Sequence, residues 1–474
     1  MEFDVKHPEI FEAVKSAVKD GLEKVRDLKE RKVYITSYLD FPTMSYFASG
    51  LPFISTTLFN GPTDYSQAFL KEINTESIKS FQQLSKLIPK YPALKRYFAF
   101  QEGEDISSRN SEFTRTIAKL IDHYIHVNER TDFDEEAFLP IYIEWERCAF
   151  LDELPINILV PLIYITFDFE ELELGEGVVI KQIPQPVQLA RIGRKSGALA
   201  NYECVTGAAT HALVFTDWII PNTNHIQRFL NLINAELFSN AIEKVDLFLA
   251  AFRVVTGVET GYSQLVSVPD FWGDRWEAHL PDVGVVSVKA YPEYFDNGGW
   301  LNKPPVINRI DCEQAFKVFK SLENNKSNKL FLATRRLNTA FLRNNEDDAI
   351  LDITIGLESL LANDSHSEIS YRLSLRLAGL SVLEKFEDKN PVDVFALCKK
   401  LYEYRSAVAH GSHEISKKRV ITLQSDHEPA PAILRGISIL RYAIRIISAN
   451  PDLLDTKKLD NLLLEQFSYK ENNQ

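Results

Sequence analysis

The chain has 474 residues, 45% of them hydrophobic, and a net charge of −13. That length exceeds what one core usually serves, and the apolar content is ample for two or three folded domains, which excludes a disordered chain. The acidic balance excludes a protein that coats nucleic acid without specificity, because such binding draws on an overall positive field.

The charge is unevenly spread. Residues 311–474 hold 23 Lys and Arg against 23 Asp and Glu, whereas residues 1–310 hold 30 against 43, so the whole excess lies in the first two thirds. The four cysteines, Cys148, Cys204, Cys312 and Cys398, show no paired spacing. This argues against a disulfide framework and a cysteine zinc site. The N-terminus does not resemble a signal peptide, and the longest largely apolar run, 159–167, is broken by Pro161 and far shorter than a membrane span. The expectation is a cytoplasmic protein with no membrane partner.

In chain order, residues 8–31 read as a helix, 33–60 as aromatic and irregular, and 77–150 as mostly helical with breaks at Pro89 and Pro92. Short β-branched stretches at 159–167, 177–182 and 211–215 read as strands, two helices cover about 224–256, and strands return at 263–268 and 283–289. Gly and Pro pairs in Asn297-Gly-Gly-Trp-Leu-Asn-Lys-Pro-Pro305 mark a boundary. Beyond it the chain reads as helical over 312–343, 347–361, 368–383, from Asn390 to about 409, and 432–448. Asn390 is placed as an N-cap, Pro391 as a first-turn residue and Gly411 as a stop. The expected class is α+β. Residues 1–150 form a mostly helical region, 151–305 a mixed strand and helix region that can share one domain with it, and 306–474 an all-α bundle.

Two residues at the end of the helix begun at Asn390 carry the chemistry. Arg405 offers a permanent planar charge suited to phosphate, and His410 can move a proton near neutral pH, which together supply most of what RNA phosphodiester cleavage needs. An arginine followed by a histidine at such a spacing arises about once or twice by chance in a chain like this. Five residues are about 140° of helical turn, so the pair converges only if the last turn loosens. The bland alternative is that His410 complements the helix dipole and Arg405 is a solvated charge.

The surroundings add to this. In order and spacing, Asp347-Asp-Ala-Ile-Leu-Asp-Ile-Thr-Ile-Gly-Leu-Glu-Ser-Leu-Leu361, Glu368-Ile-Ser-Tyr-Arg-Leu-Ser-Leu-Arg-Leu-Ala-Gly-Leu380 and Leu401-Tyr-Glu-Tyr-Arg-Ser-Ala-Val-Ala-His-Gly411 resemble the HEPN superfamily, within it the Apea-like group. The resemblance covers about residues 311–450. It implies a dimerising HEPN-like helical bundle and a metal-independent RNA-cleaving site at Arg405 and His410, with Ser406 in the position where active members place a polar residue. It also points to a toxin-like effector of antiviral defence. That about 300 residues of mixed fold precede the bundle, far more than RNA cleavage requires, makes a restraining or sensing N-terminal region with a phage-derived trigger the expectation. The other reading is a non-catalytic HEPN scaffold for dimerisation or RNA binding.

Supporting candidates are Glu358, to hold Arg405, and the cluster Lys417, Lys418 and Arg419, to steer an RNA backbone. The alternative for Glu358, and the favoured one, is an ordinary buried carboxylate with a local partner; for the cluster it is solvated charge. Arg372 with Arg376, and Arg441 with Arg445, are weaker basic pairs read chiefly as local charge pairing. His123 and His126 lack a third distant ligand, so no metal site and no cofactor are expected. His366, His413 and His427 read as loop residues. Trp272-Gly-Asp-Arg-Trp276 reads as core or domain contact.

Overall fold

The computed structural model describes residues 4–56, 61–100, 110–193, 203–324, 327–362 and 368–468. The chain is α+β. Its centre is a six-stranded antiparallel sheet of β1 (Glu153–Ile163), β2 (Glu171–Gly175), β3 (Val178–Gln182), β4 (Ala209–Pro221), β5 (Tyr262–Pro269) and β6 (Gly284–Ala290), ordered β2-β3-β4-β1-β5-β6. Strand β1 is buried without a break from Ile158 to Ile163, as a central strand covered on both faces requires. Pro161 is tolerated there because pairing with β5 ends at Leu159, so no ladder bond is lost on that side.

Alternate residues of the sheet enter two cores. Val160, Leu162, Leu213 and Phe215 face one of them, and Leu159, Ile163, Ala212 and Val214 the other. The second core is closed by an antiparallel hairpin, Pro42–Tyr46 with Pro52–Thr56, and by a helix at Gln185–Gly193. A third core joins helices α1 (Pro8–Glu30), α2 (Asn110–Asn128) and α3 (Glu135–Phe150) to one end of the sheet through Leu154, Ile156 and Ile220. Trp272 and Trp276 belong to it, and the Trp272 indole N–H donates to the Pro155 carbonyl at 2.6 Å.

The first core extends into the C-terminal third without interruption. It runs from the sheet through α4 (Ala235–Thr256) into α5 (Arg309–Asn324), α6 (Asn328–Leu342), α7 (Glu346–Leu361), α8 (Ile369–Leu383), α9 (Pro391–Ala409) and α10 (Ala432–Ala449). A last helix, α11 (Thr456–Ser468), lies beyond these. The single helical stretch expected over 312–343 is thus two helices, α5 and α6. Helix α4 precedes the Gly/Pro boundary in sequence, yet packs on α5, α6 and α10.

Helix α7 runs between α6, α9 and α10 and buries Ile350, Ile353, Leu357, Leu360 and Leu361. Gly356 permits the close crossing with α10, since a Cβ there would stand 2.8 Å from a Leu440 methyl.

Candidate functional site

The site residues sit at the end of α9 because of how that helix is started and stopped. The Asn390 side chain accepts from the Asp393 N–H at 2.9 Å, and Pro391 occupies the first turn. Val394, Leu397, Cys398, Leu401 and Tyr404 then form one buried stripe. The end is a Schellman motif: Gly411 takes φ +63°, its N–H donates to Val408 at 3.2 Å, and the Ser412 N–H donates to Ala407 at 2.9 Å.

His410 is the C-cap, exposed to solvent, with φ −102° and ψ 4°. Its N–H still donates to the Ser406 carbonyl at 3.1 Å, so helical geometry persists to this point. Arg405 is half-buried, with its guanidinium carbon 5.7 Å from the centre of the Tyr402 ring, in reach of a cation–π contact. Its buried Nε has no hydrogen-bond partner, and among the described residues Arg405 forms no ion pair. No hydrogen bond or ring contact joins Arg405 to His410. Ser406 is half-buried beside them.

Glu358 does not bond Arg405 directly. Its Oε1 accepts the Tyr402 hydroxyl, and Tyr402 in turn lies against the guanidinium, so the carboxylate acts on the arginine through the ring. Burial first, and Glu358 second, raise the Tyr402 pKa, which keeps the phenol a donor. Two positions along, the Tyr404 hydroxyl donates to Asp347 at 2.7 Å. Asp347 and Glu358 lie eleven positions, about 16 Å, apart on α7, so the two tyrosines brace the end of α9 at separate points. Tyr402 escaped the sequence reading, although its position three before Arg405 is the spacing at which helical side chains meet.

The flanking bases are paired. Lys417 contacts Glu414 at 2.8 Å, Lys418 contacts Glu403 at 2.9 Å, and Arg419 lies 3.3 Å from both Glu346 and Asp347. The loop carrying them is tied down by Asp426, which accepts from Lys389, Arg435 and the Leu423 N–H. Burial pushes the Asp426 pKa up, but these donors outweigh it and hold the carboxyl far below the usual range.

Other singled-out groups have structural roles. Arg376 is buried, ion-paired to Asp460 of α11 at 2.7 Å and bonded to the Leu361 carbonyl at 2.5 Å. Arg441 donates to the carbonyls of Arg253, Val254 and Val255, which caps the end of α4. Arg445 pairs with Glu384. Arg372 is half-buried. His123 bonds the Ala278 carbonyl at 2.8 Å and stacks on Trp276. His126 contacts Asp122 at 3.4 Å and the Thr63 carbonyl at 2.9 Å. His413 and His427 are exposed, and His366 lies outside the described residues.

Among the described residues no cluster of three or more His, Cys, Asp or Glu has the arrangement of a metal site, and no helix is long and apolar enough to cross a membrane. No protein-family model, no curated protein and no solved structure matches the chain.

Proposed function

We propose that this chain is a HEPN-type endoribonuclease, metal-independent as the resemblance implies, acting through Arg405 and His410 in a homodimer. The observation that carries the reading is the state of Arg405. Every cation of the adjoining cluster is spent on a carboxylate, whereas Arg405, which among the described residues forms no ion pair, is oriented on Tyr402 about one and a half turns from an exposed histidine.

In the proposed reaction the ribose 2′-oxygen forms a bond to phosphorus as the bond to the 5′-oxygen breaks, leaving a 2′,3′-cyclic phosphate and a 5′-hydroxyl. One His410 accepts the 2′-hydroxyl proton and the second copy's His410 returns one to the leaving oxygen. Arg405 stabilises the added charge on the phosphorane-like transition state. DNA lacks the nucleophile. Because one histidine cannot readily serve as both base and acid across one bond, a site made of two facing pairs suits the chemistry. An exposed apolar stripe on α8, Tyr371, Leu375 and Val382, offers a surface for such pairing. The biological setting we propose is toxin-like antiviral defence, with the N-terminal region restraining or triggering the nuclease in response to a phage-derived signal.

The second reading is a non-catalytic scaffold for dimerisation or RNA binding, and the missing Arg405–His410 contact favours it. Purified wild type, Arg405→Ala and His410→Ala, incubated with labelled RNA, decide between them. Each variant is expected to lose about 100-fold or more in cleavage at unchanged melting temperature. Equal cleavage by all three, or by none even with extract of phage-infected cells added to supply the signal, overturns the nuclease reading.

A further inference from the structure

The ring that meets Arg405 is itself fixed. Tyr402 precedes Arg405 by three positions, which puts both on one face of α9, and the guanidinium carbon stands 5.7 Å from the ring centre. The Tyr402 hydroxyl donates to Glu358 of α7, so the side chain spans from one helix to the next. Burial first and Glu358 second raise the phenol pKa, so this donor persists through the neutral range.

Tyr404 makes the same kind of tie in a different setting. It is fully buried in the core, its hydroxyl donates to Asp347 of α7 at 2.7 Å, and the charge there is balanced because Arg419 lies 3.3 Å from the same carboxylate. Tyr402 is only half-buried, and the cation against its ring has no ion pair among the described residues. A long arginine side chain loses rotamer freedom when it engages a phosphate, and that loss is smaller where the folded state already holds it. Charge-stabilising groups act best when they are oriented before the charge develops.

Resting on the nuclease reading, we propose that Tyr402 is a positioning residue of that reaction: anchored by Glu358, its ring holds the Arg405 guanidinium in the orientation that stabilises the phosphorane-like transition state. The test is single-turnover cleavage of labelled RNA by the full chain, with extract of phage-infected cells added if the purified protein needs it, giving a saturating rate constant and a half-saturating concentration for each variant. Tyr402→Leu is expected to lower the rate constant about tenfold, the equivalent of one long side chain left to be immobilised, with the half-saturating concentration changed by less than about twofold. Tyr402→Phe, which keeps the ring and loses the anchor, is expected to fall between Tyr402→Leu and wild type. In an Arg405→Ala background Tyr402→Leu is expected to cost nothing further, since no guanidinium is left to hold. Tyr404→Phe, which cuts the comparable tie, is expected to lower the melting temperature and leave the rate constant unchanged. Wild-type cleavage by folded Tyr402→Leu, the same loss with and without Arg405, or an equal loss in Tyr404→Phe overturns this proposal alone, provided Arg405→Ala is impaired. Wild-type protein that does not cleave, or cleavage unaffected by Arg405→Ala, overturns the nuclease reading and this proposal with it.

Discussion

Arg405 and the three cations that follow it differ in what they touch, and that difference separates a candidate catalytic charge from surface charge. Lys417, Lys418 and Arg419 each answer a nearby carboxylate, while Arg405 lies over an aromatic ring with no ion pair among the described residues. Arg405→Lys should therefore lower RNA cleavage strongly, because an ammonium cannot present a planar fork to phosphate. Gel-based cleavage rates with folded yield as control measure this. A residue-scale prediction on stability comes from His123, whose pKa burial pulls down to about 4 from 6.5. The folded state binds fewer protons than the unfolded state between those values. His123 thus contributes stability above the unfolded pKa that is lost as pH falls, about 2 kcal/mol between about pH 7 and about pH 4.5. His126 runs the other way: burial lowers its pKa, but the bond and charge of Asp122 prevail and raise it, so its contribution is present at low pH and lost as pH rises through the folded value. His123→Phe, which keeps the stacking on Trp276, should flatten the acid side of the stability curve in urea titrations at several pH values.

Among the elements, those with strong local signals were readable from sequence. Helices α7, α9 and α10 lie within a residue or two of expectation, since their apolar stripes are long and Asn390, Gly411 and Asn450 punctuate them. The hairpin at 42–56, strand β2 and helix α11 were not anticipated. The first two are five-residue strands with exposed positions, and α11 follows Asn450-Pro451, a stop signal strong enough to mask a restart. Helices α5 and α6 merged in the sequence reading because neither Gly nor Pro separates them. At the site, the places of Arg405 and His410 at the helix end could be read. The Glu358–Tyr402 link could not, since it depends on how α9 crosses α7. The exposed stripe of α8 belongs to this scale: Leu375→Lys should shift the protein from dimer to monomer in analytical ultracentrifugation and reduce cleavage with it, whereas an unchanged dimer would place the interface elsewhere.

Across the whole molecule, one hydrophobic core passes from the sheet through α4 into the C-terminal helices. Arg441 reinforces that junction from α10, and Gly257 leaves it room, since a Cβ there would stand 2.1 Å from the guanidinium. Arg441→Met keeps the aliphatic volume but removes three bonds to carbonyls at a helix end, and should cost about 2 kcal/mol in equilibrium unfolding. Residues 306–474 expressed alone should melt well below the full chain, because the fragment exposes the faces of α5, α6 and α10 that pack on α4. Such a junction also gives an N-terminal event a route to the proposed nuclease site, through packed elements and not through a linker.

The most direct measurement of the central claim is total-RNA integrity, with mapping of new 3′ ends, in cells expressing wild type or His410→Ala at equal folded yield, with and without phage challenge. Cleavage in the wild type alone, leaving 2′,3′-cyclic phosphate ends, is the predicted result. Identical RNA profiles for the two proteins under both conditions would contradict the nuclease account.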